Sequence, residues 1–147
     1  MYMISACLLG ENCKYNGGNN RCQWVVDFAK AHSYVPVCPE TQVGLPAPRP
    51  PAEICADKVL DCEGKDLTEA FARGAEASWE LAKKAASDAG ENIEGAILKA
   101  KSPSCGRDRI YDGTFSDRLT AGDGYLVRLL KNHHIDVITE KENLEDD

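Results

Sequence analysis

Four short apolar runs, at residues 2–5, 34–37, 95–101 and 135–139, alternate with stretches of helical periodicity, and this alternation constrains the fold more than any other feature. Runs this short, bounded by turn residues, suit buried strands better than buried helices. After Asn20, the residues Cys22, Val25, Val26, Ala29 and His32 fall near one helical face, and Asn20 with Gln23 has the spacing of a capping box. A longer helix is predicted over 67–89, with Leu67, Ala70, Phe71, Gly74, Ser78, Leu81 and Ala85 on one face, Asp66 as its cap and Gly90 as its stop. A last helix over 122–134 turns Leu126, Leu129, Leu130 and His133 inward. The alternation predicts an α/β fold: an open, mostly parallel, Rossmann-like sheet of about four strands flanked by helices. The 147 residues are read as a single domain over 1–147.

Two segments break the alternation. The stretch 41–54 carries Pro46, Pro48, Pro50 and Pro51, which exclude a helix or a central strand. A long irregular segment within a small domain is usually functional, so 43–54 is expected to wall or cover a site. Arg49 is its candidate for a polar contact, to a substrate carbonyl or to backbone oxygens. Further on, Asp61-Cys62-Glu63-Gly64-Lys65 suggests a turn between short strands, and Asp112-Gly113 within 109–115 signals a hairpin.

The net charge of −7 argues against tight binding to long nucleic acid, although Lys99, Lys101, Arg107, Arg109 and Arg118 form a local basic group. Much of the negative excess lies in a tail over about 140–147, read as solvated: Glu140, Glu142, Glu145, Asp146 and Asp147 against Lys141. No apolar run approaches the roughly 20 residues of a membrane helix. The first residues lack the basic start of a secretory signal, so a cytoplasmic location is expected, with no membrane partner. Seven cysteines, an odd number, then argue against a disulfide framework and for metal or thiol chemistry.

Three of the seven stand at strand ends. Cys7 follows the first strand, Cys38 ends the second, and Cys105 follows the third in the turn Ser102-Pro103-Ser104-Cys105-Gly106. Ligands of open parallel sheets bind beyond the carboxyl ends of the strands, and neighbouring strands lie about 5 Å apart, so three such thiols can converge. Three thiolates from distant segments leave one coordination position open, as in a catalytic metal site or a site-differentiated iron–sulfur cluster. Cys13 lies in the loop after Cys7 and could approach the same place; Cys22, Cys55 and Cys62 are expected to stay apart. Glu40, two residues after Cys38, is either a solvated carboxylate or a general acid kept protonated by nearby thiolates. Ser102 can bond a ligand or only its own turn. The loop opening at Cys7 does not match a Cys-x5-Arg phosphatase loop, because Cys13 stands where the arginine is needed.

The segments SACLLGENCKYNG, CPETQVGLPAPRPPAEI and LKAKSPSCGRDRIYDGTF occur in this order over nearly the whole chain. Together they resemble the family long called domain of unknown function 523, whose better understood members are the TudS thiouracil desulfidases. Val43 departs from the glycine expected before Gly44 and Leu45. The resemblance implies a 4Fe–4S cluster held by Cys7, Cys38 and Cys105 with one open iron. It implies Glu40 and Ser102 as catalytic residues, with Ser102, Arg49 and Cys13 near the substrate. The implied reaction is non-redox removal of sulfur from a thiolated nucleobase or nucleoside, giving the oxo-base and sulfide. Two other readings stay open: a metal-binding accessory protein without turnover, and a sulfur carrier using Cys13.

Overall fold

The computed structural model describes residues 1–142. Its elements run β1 (Tyr2–Ser5), α1 (Gln23–Ala31), β2 (Tyr34–Val37), α2 (Pro39–Gln42), β3 (Ala52–Cys55), β4 (Lys58–Asp61), α3 (Thr68–Asp88), β5 (Gly95–Leu98), β6 (Arg109–Tyr111), β7 (Leu119–Ala121), α4 (Tyr125–Asn132) and β8 (Val137–Thr139). A single 3-10 turn over Ala6–Leu9 follows β1 directly. The main sheet has the order β2-β1-β5-β8, and its three pairings are all parallel. This is the predicted α/β architecture. The order puts β1 and β5 at the centre, so the ends carrying Cys7 and Cys105 are neighbours, with Cys38 on the other side of Cys7.

Alternating side chains divide the sheet between two cores, as the pleat requires. Met3, Val35, Val37, Ala96, Leu98 and Val137 pack with Ala75, Trp79, Ala82 and Ala86 of α3 and Leu126, Val127 and Leu130 of α4. Ile4 and Ile97 face the other way, against Trp24, Val25 and Ala29 of α1. All four residues of β5 are buried, consistent with a central strand covered on both faces.

The helices form where the pattern places them, with some faces rotated. In α3 the buried residues are Phe71, Gly74, Ala75, Ser78, Trp79, Ala82 and Ala86, and Leu81 is exposed. Ala75, Ala82 and Ala86 face the sheet beside Trp79. The N-cap of this helix is Leu67, without a side-chain cap bond, and Asp66 stands one residue outside it, its carboxylate accepting the Thr68 N–H at 2.9 Å. In α1, Trp24 is buried in place of the expected Val26, and His32 lies outside on Phe28. His133 likewise stacks on Trp79 from an exposed position. Asn20 caps nothing: Cys22 precedes α1 without a side-chain cap bond, and Asn20 serves another purpose.

Two small antiparallel hairpins, β3–β4 and β6–β7, lie outside the main sheet. They share a separate core of Ile54, Val59, Phe71 and Ile110. The proline-rich segment is therefore not irregular throughout; it begins in α2 and ends in β3. The first hairpin turns at Ala56 and Asp57, whereas 61–65 forms a turn after β4. The tail reading also needs correction. Glu140 accepts the Ala100 N–H at 2.7 Å and pairs with Lys99 at 3.1 Å, while Glu142 pairs with Arg107. The rest of the predicted tail, 143–147, lies outside the described residues.

Candidate metal centre

Each of the three strand-end cysteines is placed by backbone bonds that its local sequence makes available. Cys7 sits in the 3-10 turn, where its carbonyl accepts the N–H groups of Gly10 at 3.2 Å and Asn20 at 3.0 Å. Cys38 precedes α2, with Pro39 at the first helical position, where a missing N–H costs nothing. Pro39 can dock on α3 only because residue 74 is glycine: a Cβ there would lie 2.2 Å from the Pro39 carbonyl oxygen. Cys105 donates its N–H to Ser102 Oγ at 2.8 Å, and its turn lies against the start of α4. The N–H groups of Tyr125 and Leu126 donate to the carbonyls of Pro103 and Ser104 at 3.0 and 2.9 Å, and a Cβ on Gly124 would lie 2.5 Å from the Ser104 carbonyl carbon. The first turn of α4 therefore fixes the turn that carries Cys105.

Cys7, Cys13, Cys38 and Cys105 line one cavity of about 530 Å3, together with Glu40, Arg49 and Ser102. The proline-rich segment contributes Arg49, Pro51, Ala52 and Glu53 to its wall. Cys22 packs in the α1 core, and Cys55 donates to the Gly113 carbonyl at 3.3 Å. Cys62, expected apart from the site, lines the same cavity from beyond β4.

The thiols are not equivalent. Burial pushes Cys105 up to about 12, opposed by hydrogen bonds from Ser5 and Ser104. Burial also raises Cys7, opposed by Asn20, whose amide donates to Cys7 Sγ at 3.4 Å. Cys38 is lowered to about 6, chiefly by a hydrogen bond from the Cys13 thiol, and Cys13 is raised by the same contact. The hydrogen bond from Cys13 thus favours the thiolate at Cys38, while burial favours the protonated form at Cys7 and Cys105. A bound metal group would displace those protons, since thiolate is the ligating form.

Glu40 accepts from Arg49 Nε at 3.0 Å and from Ser104 Oγ at 2.9 Å, with its side chain 16% exposed. Arg49 also donates to the carbonyls of Pro46 and Cys13, both at 3.0 Å. It therefore ties the proline-rich segment and the Cys13 loop to Glu40, and its partners are protein groups. Ser102 uses its oxygen as an acceptor in the turn, which leaves its hydroxyl proton to donate.

Sequence reasoning missed Ser104, Asn20, Ser5 and Glu53. Ser104 stands next to Cys105 in a motif already singled out, and Asn20 was read as a cap. Nothing in the sequence marks Ser5 as a thiol partner.

Among the described residues, no group of three cysteine, histidine, aspartate or glutamate side chains is arranged to hold a single metal ion. A wider group fits better: three soft donors reach one roomy cavity from separate strand ends, with N–H and O–H donors set against their sulfurs.

The fold and this thiol-lined opening define an α/β protein whose site lies at the carboxyl edge of its parallel sheet. The chain belongs to the 2-thiouracil desulfurase family, whose model matches residues 2–142. It is 38% identical to a solved structure described as the 4Fe–4S-dependent thiouracil desulfidase TudS, with a TM-score of 0.84 over 99% of this chain and 93% of that one. The Uncharacterized protein YbbK of Bacillus subtilis (strain 168) is 35% identical over 152 residues, covering 97% of each chain.

Proposed function

We propose that this protein is a 4Fe–4S-dependent desulfidase that removes sulfur from a thiolated nucleobase of the 2-thiouracil or 4-thiouracil type, by hydrolysis and without net redox change. The observation that carries this reading is the opening of Cys7, Cys38 and Cys105 onto one cavity beside Glu40, in a chain of this family. Those three cysteines would hold the cluster and leave one iron open. When bound, the cluster supplies a Lewis-acidic iron for the thiocarbonyl sulfur.

The chain's own groups supply the proton handling. Glu40, oriented by Arg49 and Ser104, takes a proton from water and passes it to the base. Ser102 directs its remaining hydroxyl proton toward the substrate. Water replaces sulfur on carbon, giving the oxo-base and hydrogen sulfide, so atoms and electrons balance. Cys13 holds the Cys38 thiolate and contacts substrate. The segment 43–51 excludes bulk water from one side.

The test is anaerobic reconstitution, iron and sulfide counting, then incubation with 2-thiouracil and 4-thiouracil without added reductant. Brown protein that releases uracil and sulfide is the expected result. Colourless protein with one zinc per chain and no turnover would favour a metal-binding accessory protein instead, and a protein persulfide without bound metal would favour the sulfur carrier.

A further inference from the structure

Among the described residues, four large hydrophobic side chains are exposed, and two of them, Tyr15 and Phe115, line the cavity of the candidate site. Single exposed apolar residues need no explanation, but two aromatic rings at one concave site point to a ligand with a flat face. Phe115 is 38% exposed and has φ +56°, a conformation bulky residues rarely adopt.

The segment carrying Phe115 is fastened in place. Glu53, buried on β3, accepts the N–H groups of Gly113 at 3.0 Å and Phe115 at 3.2 Å through the same oxygen. Gly113 has φ +91° and lies so close to β3 that a Cβ would stand 2.8 Å from the Ile54 carbonyl oxygen. Cys55 donates to the Gly113 carbonyl, and Asp112 accepts the Thr114 N–H at 3.0 Å. One oxygen of a buried carboxylate thus holds the backbone of this loop, and its effect is to present the Phe115 ring at the cavity.

We propose that Phe115 is the stacking surface for the planar ring of the thiolated base, and that Glu53 is the residue that positions it. This inference rests on the desulfidase reading. The thiols, Glu40 and Ser102 can serve the polar edge of a base, but its faces need apolar contact. Selectivity for an aromatic ring over a saturated thioamide would then come from the loop between β6 and β7.

The experiment compares holoenzyme of wild type, Phe115→Ala, Phe115→Tyr, Glu53→Gln and Glu53→Ala. Substrates are 2-thiouracil and 5,6-dihydro-2-thiouracil, which keeps the thiocarbonyl but has a puckered ring. Phe115→Ala should raise KM for 2-thiouracil about tenfold, as expected for one lost aromatic–base stack, with iron content unchanged. Its kcat, and its KM for the dihydro compound, should stay within about twofold. Phe115→Tyr should retain wild-type KM. Glu53→Ala should follow Phe115→Ala, whereas Glu53→Gln, whose amide oxygen still accepts, should not. Unchanged KM in Phe115→Ala, or an equal loss on both substrates, would overturn the proposal. Calorimetric binding of uracil to wild type and Phe115→Ala separates the two layers. A stacking-dependent uracil affinity without turnover would sink the desulfidase reading and keep the stack, and wild type that neither turns over thiouracil nor binds uracil would sink both.

Discussion

The rim of the main sheet and the roof above it are held together by different physics. At the rim, Cys7, Cys38 and Cys105 follow strands whose backbones are paired; β1 and β5 are covered on both faces, and the edge strand β2 on one. The roof, made of the proline-rich segment and the two hairpins, rests on a small apolar cluster and on polar anchors, Arg49 and Glu53. The proposed cofactor ligands thus sit on the rigid part, and the proposed stacking residue, Phe115, sits on the part held by a few hydrogen bonds. The difference suggests that cofactor and substrate binding can be altered separately.

The sharpest way to break the comparison is Cys38→Ser at the rim. A hydroxyl is a poor substitute for a soft thiolate, so iron should be lost while far-UV circular dichroism keeps the wild-type fold. Retention of full iron content would remove Cys38 from the ligand set.

Thiol reactivity of the apo chain should differ by several orders of magnitude within the same rim. Cys38, lowered to about 6, is largely thiolate at pH 7, and its labelling by iodoacetamide should slow as pH falls through 6. Cys105, raised to about 12 and buried, stays protonated and should label far more slowly than Cys38. Peptide mapping at pH 5, 6 and 7 reads both.

Glu40→Gln lies at the junction of rim and roof. The near-isosteric amide should leave iron content intact and lower the desulfuration rate by about 10²–10⁴-fold. A fully loaded variant with wild-type turnover would reduce Glu40 to a partner of Arg49.

Arg49→Ala sharpens the comparison from the roof side. It removes donors to Glu40, Cys13 and Pro46, and should cost about 1–3 kcal/mol in thermal unfolding. Hydrogen exchange should rise at 43–51 and around Cys13, with the main sheet unchanged. Ser102→Ala should have the smallest effect, about 0.5–1.5 kcal/mol in transition-state stabilisation, if its hydroxyl makes one bond to substrate.

The site was legible in part. Cys7, Cys38 and Cys105 could be read because strand ends follow from short apolar runs, and a cysteine at each end stands out. Glu40 was legible by its place two residues from Cys38, but its surroundings were not. The thiolates around it were inferred from proximity in sequence, whereas Arg49 reaches it from nine residues away and Ser104 from sixty-four. Asn20 looked like a helix cap because caps are local and its real partner, Cys7, is thirteen residues away.

The sequence by itself determined the parallel α/β layering, because hydrophobic periodicity is a property of neighbouring residues and each period demands its own element. It also determined where the chain must turn, through Gly90, Asp112-Gly113 and the Ser-Pro-Ser-Cys-Gly motif. Only the tertiary structure decided which face of α3 meets the sheet, that Glu140 bonds Lys99 and the Ala100 N–H instead of belonging to a solvated tail, and that Glu53 holds the loop of Phe115. The reason is common to all three. Each depends on contacts between residues far apart in the chain, whose distances are set only once the strands have paired and the helices have packed.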